Sequence, residues 1–196
     1  KKTAKEKKVN LKFFPEGGNL VKGVPSQVAF EATDAYGNPI TLFGRIINRR
    51  KEEIGHFATI HEGRGVFTYI PTGEDADKAE VELGGKKYRF DLPEVCSQGY
   101  VLHVDNLTSE DSIAVSVQKN TYTPSNLLGL AVIAHGKLLN SCLLNVGKNT
   151  PVSFKLDKSE WTPGVVQLVL FDTAGQIIAD RLVFTRKPEL LAVDVR

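Results

Sequence analysis

Hydrophobic and polar residues alternate along most of the chain, in short runs rich in Val, Ile, Leu, Phe and Thr. Clusters of Gly, Pro, Asn or Asp interrupt these runs about every 8–12 residues, as expected for strands joined by turns. No window of about 11 or more residues sustains the apolar pattern of an amphipathic helix. The pattern therefore predicts fourteen strands, at residues 9–14, 26–33, 40–47, 54–61, 64–70, 78–83, 86–91, 99–105, 111–118, 127–135, 138–145, 150–156, 164–171 and 177–185.

The predicted strands form two groups of seven, and seven is the strand number of an immunoglobulin-like sandwich. The sequence therefore predicts an all-β fold of two tandem seven-stranded immunoglobulin-like β-sandwiches. Pro93 ends the last strand signal of the first group, so we expect one sandwich over residues 9–92 and another over residues 93–187. Residues 1–8 are expected to be a basic tail or linker. Residues 188–196 are expected to hold a linker and a candidate strand, either the first strand of a following module or an edge strand of the second sandwich.

A hairpin motif occurs twice, in residues 28–40 and in residues 168–178. Each copy is an alternating strand followed by Asp-x-x-Gly and then by a second strand. The Asp side chain is suited to accept hydrogen bonds from backbone N–H groups two or three residues on. The Gly supplies the positive φ that a short hairpin loop requires. The motif predicts structural turns, with no catalytic role for its carboxylates, at Asp34, Gly37, Asp172 and Gly175.

Composition places the chain among globular proteins, with 41% hydrophobic and 24% charged residues in 196. The net charge of +2 arises from residues 1–8, which hold five lysines and one glutamate, so the rest of the chain is slightly acidic. No clustered cations indicate a nucleic-acid interface. The longest apolar run, residues 127–134, is far shorter than the roughly 20 residues of a membrane-spanning helix.

Residues with catalytic or metal-binding potential do not form a recognisable set. His56 and His61 are five positions apart and would point to opposite faces of a strand, and no serine lies in a GxSxG elbow. Asp75 and Asp77 are a weak calcium candidate, but they lack the glycine and distal glutamate of an EF-hand loop, which favours a solvated acidic turn. We therefore expect no enzymatic activity, no cofactor and no metal.

The two cysteines do not form a disulfide framework or a CxxC motif. The apolar neighbours of Cys96 and Cys142 favour two buried free thiols, and a single disulfide between strands of the second sandwich is the alternative. Asn106 begins a glycosylation sequon, which matters only in a secreting eukaryote. Trp161 is expected to close the end of a sandwich rather than to stack on a sugar.

Several segments together resemble macroglobulin-like domains of Bacteroidetes cell-envelope proteins, some of which also carry a TonB-dependent receptor plug. The matching segments are residues 13–21, 23–30 and 34–40 in the first half, and residues 119–124, 163–172 and 179–184 in the second. The resemblance implies seven-stranded macroglobulin-type sandwiches in series and an extracytoplasmic location, in the periplasm or at the cell surface in association with the outer membrane. The CxEQ motif of thioester-bearing relatives is missing, because Ser-Gln-Gly follows Cys96 and Leu-Leu-Asn follows Cys142.

The function expected from these features is a non-enzymatic structural or interaction module of a larger extracytoplasmic protein. Such a module would space or dock neighbouring domains of the same chain, and envelope proteins are its expected partners. The alternative is a glycan- or peptide-binding module that uses loops at a sandwich end, near Trp161 or Tyr100. We expect no nucleic-acid partner and no membrane-spanning segment.

Overall fold

The computed structural model describes residues 9–73, 77–147 and 150–186. Within these ranges every regular element is a β-strand, which confirms the all-β prediction. The part of the chain that the structure describes has no helix long and apolar enough to cross a bilayer. The strands are β1 (Val9–Pro15), β2 (Leu20–Val21), β3 (Ser26–Asp34), β4 (Phe43–Ile47), β5 (Glu53–Ala58), β6 (Arg64–Tyr69), β7 (Lys78–Leu83), β8 (Lys86–Asp91), β9 (Val95–Cys96), β10 (Tyr100–Asp105), β11 (Ser112–Lys119), β12 (Leu127–Ala134), β13 (Lys137–Asn145), β14 (Val152–Asp157), β15 (Gly164–Phe171) and β16 (Ile177–Thr185).

The described residues fall into two compact units that divide between Val101 and Leu102, within β10. This division lies C-terminal to the boundary predicted after residue 92. The reason is that β9 pairs in parallel with β2, while Leu92 and Val95 pack against the core of the first unit. The tail predicted at residues 1–8 and the candidate strand predicted in residues 188–196 lie outside the described residues.

The first unit contains a three-stranded sheet, β1-β3-β6, and a four-stranded sheet, β5-β4-β7-β8. Alternation along β3 buries Val28, Phe30 and Ala32, and these residues share one core cluster with Ile46 and Phe57 of the other sheet. Because both sheets contribute to a single core, the unit is consistent with a β-sandwich. The first unit also contains the short parallel pair β2-β9 and the first two residues of β10.

The second unit also contains a three-stranded sheet, β10-β11-β14, and a four-stranded sheet, β13-β12-β15-β16. Burial alternates along β11, where Ile113, Val115 and Val117 are buried. In the other sheet Leu130 of β12 and Leu168 of β15 are fully buried. Each sheet therefore has one buried side, which is again consistent with a β-sandwich.

Candidate functional site

The carboxylate of Asp34 closes the turn that follows β3. Its Oδ1 accepts hydrogen bonds from the backbone N–H of Tyr36 at 2.8 Å and of Asn38 at 3.0 Å. The side chain of Asn38 donates to Oδ2 and is the main cause of a lowered pKa for Asp34. Gly37 has a φ of 86°, in the left-handed region. The acid is therefore engaged in holding the turn.

Asp172 occupies a similar turn between β15 and β16. Its Oδ1 accepts hydrogen bonds from the backbone N–H of Ala174 and of Gln176, each at 2.9 Å. Gly175 has a φ of 79°. The two turns share their hydrogen-bonding chemistry but join different strand pairs, since Asp172 connects two neighbouring strands of one sheet and Asp34 leads from one sheet towards the other.

Of the two residues proposed as calcium ligands, Asp75 lies outside the described residues. Asp77 is buried, and its Oδ2 accepts hydrogen bonds from the hydroxyls of Tyr69 and Thr72. Burial, together with the hydrogen bond to Asp77, raises the pKa of the Tyr69 phenol. Nowhere in the described ranges do three or more His, Cys, Asp or Glu side chains gather closely enough to hold a metal ion.

The two cysteines are free thiols in different units, so the alternative of a disulfide within the second sandwich is wrong. Both are half-buried, where the sequence favoured full burial. Burial raises the pKa of the Cys142 thiol, which is the opposite of the shift that activates a nucleophilic cysteine.

The aromatic residues of the alternative ligand-binding hypothesis do not present their rings. Trp161 is 8% exposed and Tyr100 is 9% exposed, so neither offers a free face for stacking on a sugar. The sequon amide of Asn106 is also engaged. Its Nδ2 donates to the carbonyl oxygen of Phe184 at 2.7 Å, and its Oδ1 accepts from Lys158 Nζ at 2.8 Å.

Charged side chains cross the outer side of the four-stranded sheet of the first unit. Glu80 on β7 is 4% exposed because Arg45 of β4 and Arg89 of β8 lie over it. Arg45 Nη2 lies 2.6 Å from Glu80 Oε1, and Arg89 Nε lies 2.9 Å from Oε2. These hydrogen bonds lower the pKa of Glu80 to about 2. The arrangement is an ion-pair network that links three strands.

The outer side of the four-stranded sheet in the second unit is mostly apolar. Cross-strand partners share a side of a sheet, so the observed register identifies its members. Across one row, Leu143 pairs with Gly129, Gly129 with Phe171, and Phe171 with Ile177. Leu143 is 75% exposed and Ile177 is 69% exposed. We call this surface the apolar face; its members are Leu127, Gly129, Ala131, Ile133, Leu138, Ser141, Leu143, Asn145, Val165, Gln167, Val169, Phe171, Ile177, Asp180, Leu182 and Phe184.

The ring of Phe171 lies over Gly129 and fills the space beside it. A Cβ at position 129 would come within 2.2 Å of the Phe171 ring. The glycine therefore allows the aromatic ring to lie across β12 and cover backbone that would otherwise be open. This local packing makes one part of the apolar face smooth.

Charged or hydroxyl rows cross the outer sides of the other sheets of three or four strands, although exposed apolar residues also occur there, such as Phe14 and Val66 on either side of Ala29 in the first unit. The three-stranded sheet of the first unit carries the row Lys12, Glu31 and Arg64, in which Arg64 Nη2 lies 3.2 Å from Glu31 Oε1. In the second unit, Ser153 Oγ donates to Ser116 Oγ at 3.1 Å on the outer side of the three-stranded sheet. The Glu80 network is such a row on the four-stranded sheet of the first unit, whereas the apolar face has a single ionisable side chain, Asp180, among the described residues.

None of the candidate site residues predicted from the sequence lies on the apolar face. Its signal in the sequence is the unbroken apolar run of residues 127–134, where an ordinary exposed strand would alternate. The run predicts a strand that is apolar on both sides. It does not reveal whether the second side is covered.

Comparison with protein-family models finds no match, and comparison with curated proteins finds none either. Among solved structures, the chain is similar to one described as a biofilm-associated protein, BSP domain. The identity is 11% and the TM-score is 0.39, with 93% of this chain and 30% of the other covered. The chain thus spans under a third of the length of that structure.

Proposed function

We propose that this chain is a non-enzymatic interaction module of a larger extracytoplasmic protein, and that its second unit binds another protein surface through the apolar face. The observation that carries the proposal is that this face is contiguous and mostly apolar, with exposed Leu, Ile and Phe side chains, whereas charged or hydroxyl rows cross the outer sides of the other sheets of three or four strands. Isolated exposed apolar residues are normal in proteins, whereas a contiguous patch marks an interaction site.

The size of the patch supports this function. Four strands about 4.8 Å apart, each with about eight residues of about 3.3 Å, give a footprint of roughly 500 Å². The largest apolar patch on a typical monomer is about 300–600 Å² and is often functional. The footprint, which includes the four polar members of the face, is of the same order, and the face is built on strands of a sheet rather than on loops.

The architecture and location in the proposal rest on sequence and strand number. Each unit has a sheet of three strands and a sheet of four, which supports seven-stranded immunoglobulin-like sandwiches, with the short pair β2-β9 as an addition in the first unit. The resemblance of residues 13–21 and 34–40 to macroglobulin-like envelope domains supports an extracytoplasmic, outer-membrane-associated protein in which such modules space or dock their neighbours. The envelope is where we expect the partner.

The non-enzymatic part of the proposal is supported by how the reactive side chains are used. The carboxylates of Asp34 and Asp172 close turns, and that of Asp77 accepts hydrogen bonds from hydroxyl groups. The carboxylate of Glu80 joins three strands. The Cys142 thiol is less acidic than usual. These groups contribute to structure, and their arrangement provides no nucleophile beside a base.

In-cell photo-crosslinking tests the function. A benzoylphenylalanine at position 182 of the parent protein lies on the apolar face, and one at position 155 lies on the polar outer side of the other sheet. We expect protein adducts from position 182 and none from position 155. Equal yields at the two positions, or no adduct at position 182, would contradict the proposal.

A further inference from the structure

We propose that the apolar face binds a second copy of this chain, with the two faces packed against each other around a twofold axis. This inference rests on the proposed function and names its partner. It follows from the area and the charge of the face.

The area is sufficient for a weak but specific dimer. Two copies of a footprint of roughly 500 Å² would bury roughly 1,000 Å² in total, using strand spacings of the usual size. A biological interface is expected to bury at least about 1,000 Å². Sheet faces pack against each other about 10 Å apart with their strands roughly aligned, which is how sandwich cores form.

The charge of the face suits a partner with the same surface. In a twofold interface each residue lies near the symmetry-related patch, so a charged face would repel its own copy. Asp180 is the one ionisable member of the apolar face as defined above, and its Oδ2 accepts a hydrogen bond from Gln167 Nε2 at 3.2 Å. Charged or hydroxyl rows cross the outer sides of the other sheets of three or four strands.

Sedimentation equilibrium of the purified chain over a range of concentrations tests the inference. We expect a reversible monomer–dimer equilibrium. Leu143→Glu and Leu182→Glu each place a carboxylate in the apolar face, and each should raise the dimer dissociation constant at least about tenfold, which corresponds to about 1.4 kcal/mol. Ser153→Glu, on the polar outer side of the other sheet, is the matched control and should leave the constant unchanged.

Circular dichroism and thermal melting will establish that the variants are folded, as expected because Leu143 and Leu182 are exposed in the single chain. A wild-type chain that stays monomeric up to its solubility limit would overturn the inference. So would dimers that tolerate both substitutions. If the chain is monomeric while position 182 crosslinks to a different envelope protein, the second copy is the wrong partner and the interaction function still stands.

Discussion

At the scale of single residues, the buried amino group of Lys119 is an unusual feature. The side chain is 0% exposed at the end of β11. Its Nζ donates to the carbonyl oxygens of Thr123 at 2.7 Å and Ser125 at 3.0 Å, and to the amide oxygen of Asn126. A buried charge is tolerated when its donors are satisfied, and here three acceptors from the following loop surround it. The lysine therefore ties that loop to the strand.

Replacement of this lysine by an apolar residue of similar length should destabilise the chain. Lys119→Met removes three hydrogen bonds and leaves acceptors in a buried place, for which we expect a loss of roughly 2–4 kcal/mol in the free energy of unfolding. Urea unfolding monitored by circular dichroism measures it. Lys155→Met, at an exposed position of β14, is the control and should change stability little. An equally small effect at position 119 would mean that water replaces the ammonium group.

The sequence predicts on which side of β11 Lys119 lies, but not which groups accept its hydrogen bonds. The alternation of β11 places Lys119 on the same side as Ile113, Val115 and Val117, which are buried. Its charge favours the surface, and no local pattern reveals that a loop will provide three acceptors. By contrast, the turn at Asp34 involves groups at most four positions away, so local sequence is enough to suggest it.

At the scale of strands and sheets, the Glu80 network joins β4, β7 and β8 through one carboxylate. Its two arginine partners are partly exposed, so solvent weakens each ion pair. The carboxylate itself is covered, and hydrogen bonds to a charged group are stronger than those between neutral groups. The network should therefore stabilise the sheet mainly when Glu80 is ionised.

This dependence predicts how stability changes with pH. The pKa of Glu80 is lowered from 4.5 to about 2 in the folded chain, so its contribution is complete above 4.5 and is lost as the pH falls towards 2. Glu80→Gln should cost roughly 1–3 kcal/mol near pH 7 and much less near pH 2. Urea unfolding of both proteins from pH 7 to pH 2 measures this. A difference that stays constant with pH would show that the charge is not responsible.

The contact between Gly129 and Phe171 leads to a separate prediction. In Gly129→Ala the new methyl group would meet the aromatic ring, and we expect a destabilisation of roughly 1–3 kcal/mol, as for overpacked sites. Phe171→Leu should reduce that cost when the two substitutions are combined. Gly147→Ala is the control, because no atom lies within 4 Å of a Cβ there. Thermal unfolding of the wild type, the two single variants and the double variant gives the coupling energy between positions 129 and 171. Destabilisations that simply add would contradict the contact.

Strand positions were the most predictable part of the fold. Each of the fourteen predicted strands overlaps an observed one, because alternation with a period of two follows directly from strand geometry. The strands β2 and β9 were missed because two residues cannot show a period. The apolar face was missed for another reason. When both sides of a strand are apolar, the pattern does not say which side the chain itself covers.

At the scale of the whole molecule, the connecting segment after β8 belongs to the first unit. Leu92 and Val95 pack on its main core, and Cys96 packs beside Val21, Val24 and Val101. The backbone N–H of Lys22 donates to the carbonyl oxygen of Cys96 at 3.0 Å. These contacts explain why the first unit extends beyond the proline-marked boundary in the sequence.

Two fragments distinguish the two boundaries. A fragment of residues 1–101 keeps the β2-β9 pair, whereas a fragment of residues 1–92 exposes Val21 and Val24, which are 0% and 1% exposed in the full chain. We expect the longer fragment to have the higher melting temperature, because buried apolar side chains are worth about 1.5–3 kcal/mol each. Calorimetry of both fragments measures this. Equal melting temperatures would favour the shorter domain.

The two half-buried thiols have a practical consequence. Each unit holds a single cysteine, Cys96 in the first and Cys142 in the second, so the native chain has one chemical reporter in each unit. A thiol reagent reacts with a covered cysteine mainly when the surrounding structure opens. The two alkylation rates, followed by mass spectrometry at increasing urea concentrations, would report separately on the opening of the β2-β9 pair and of the edge strand β13. The chain therefore needs no engineered label to show which part opens first.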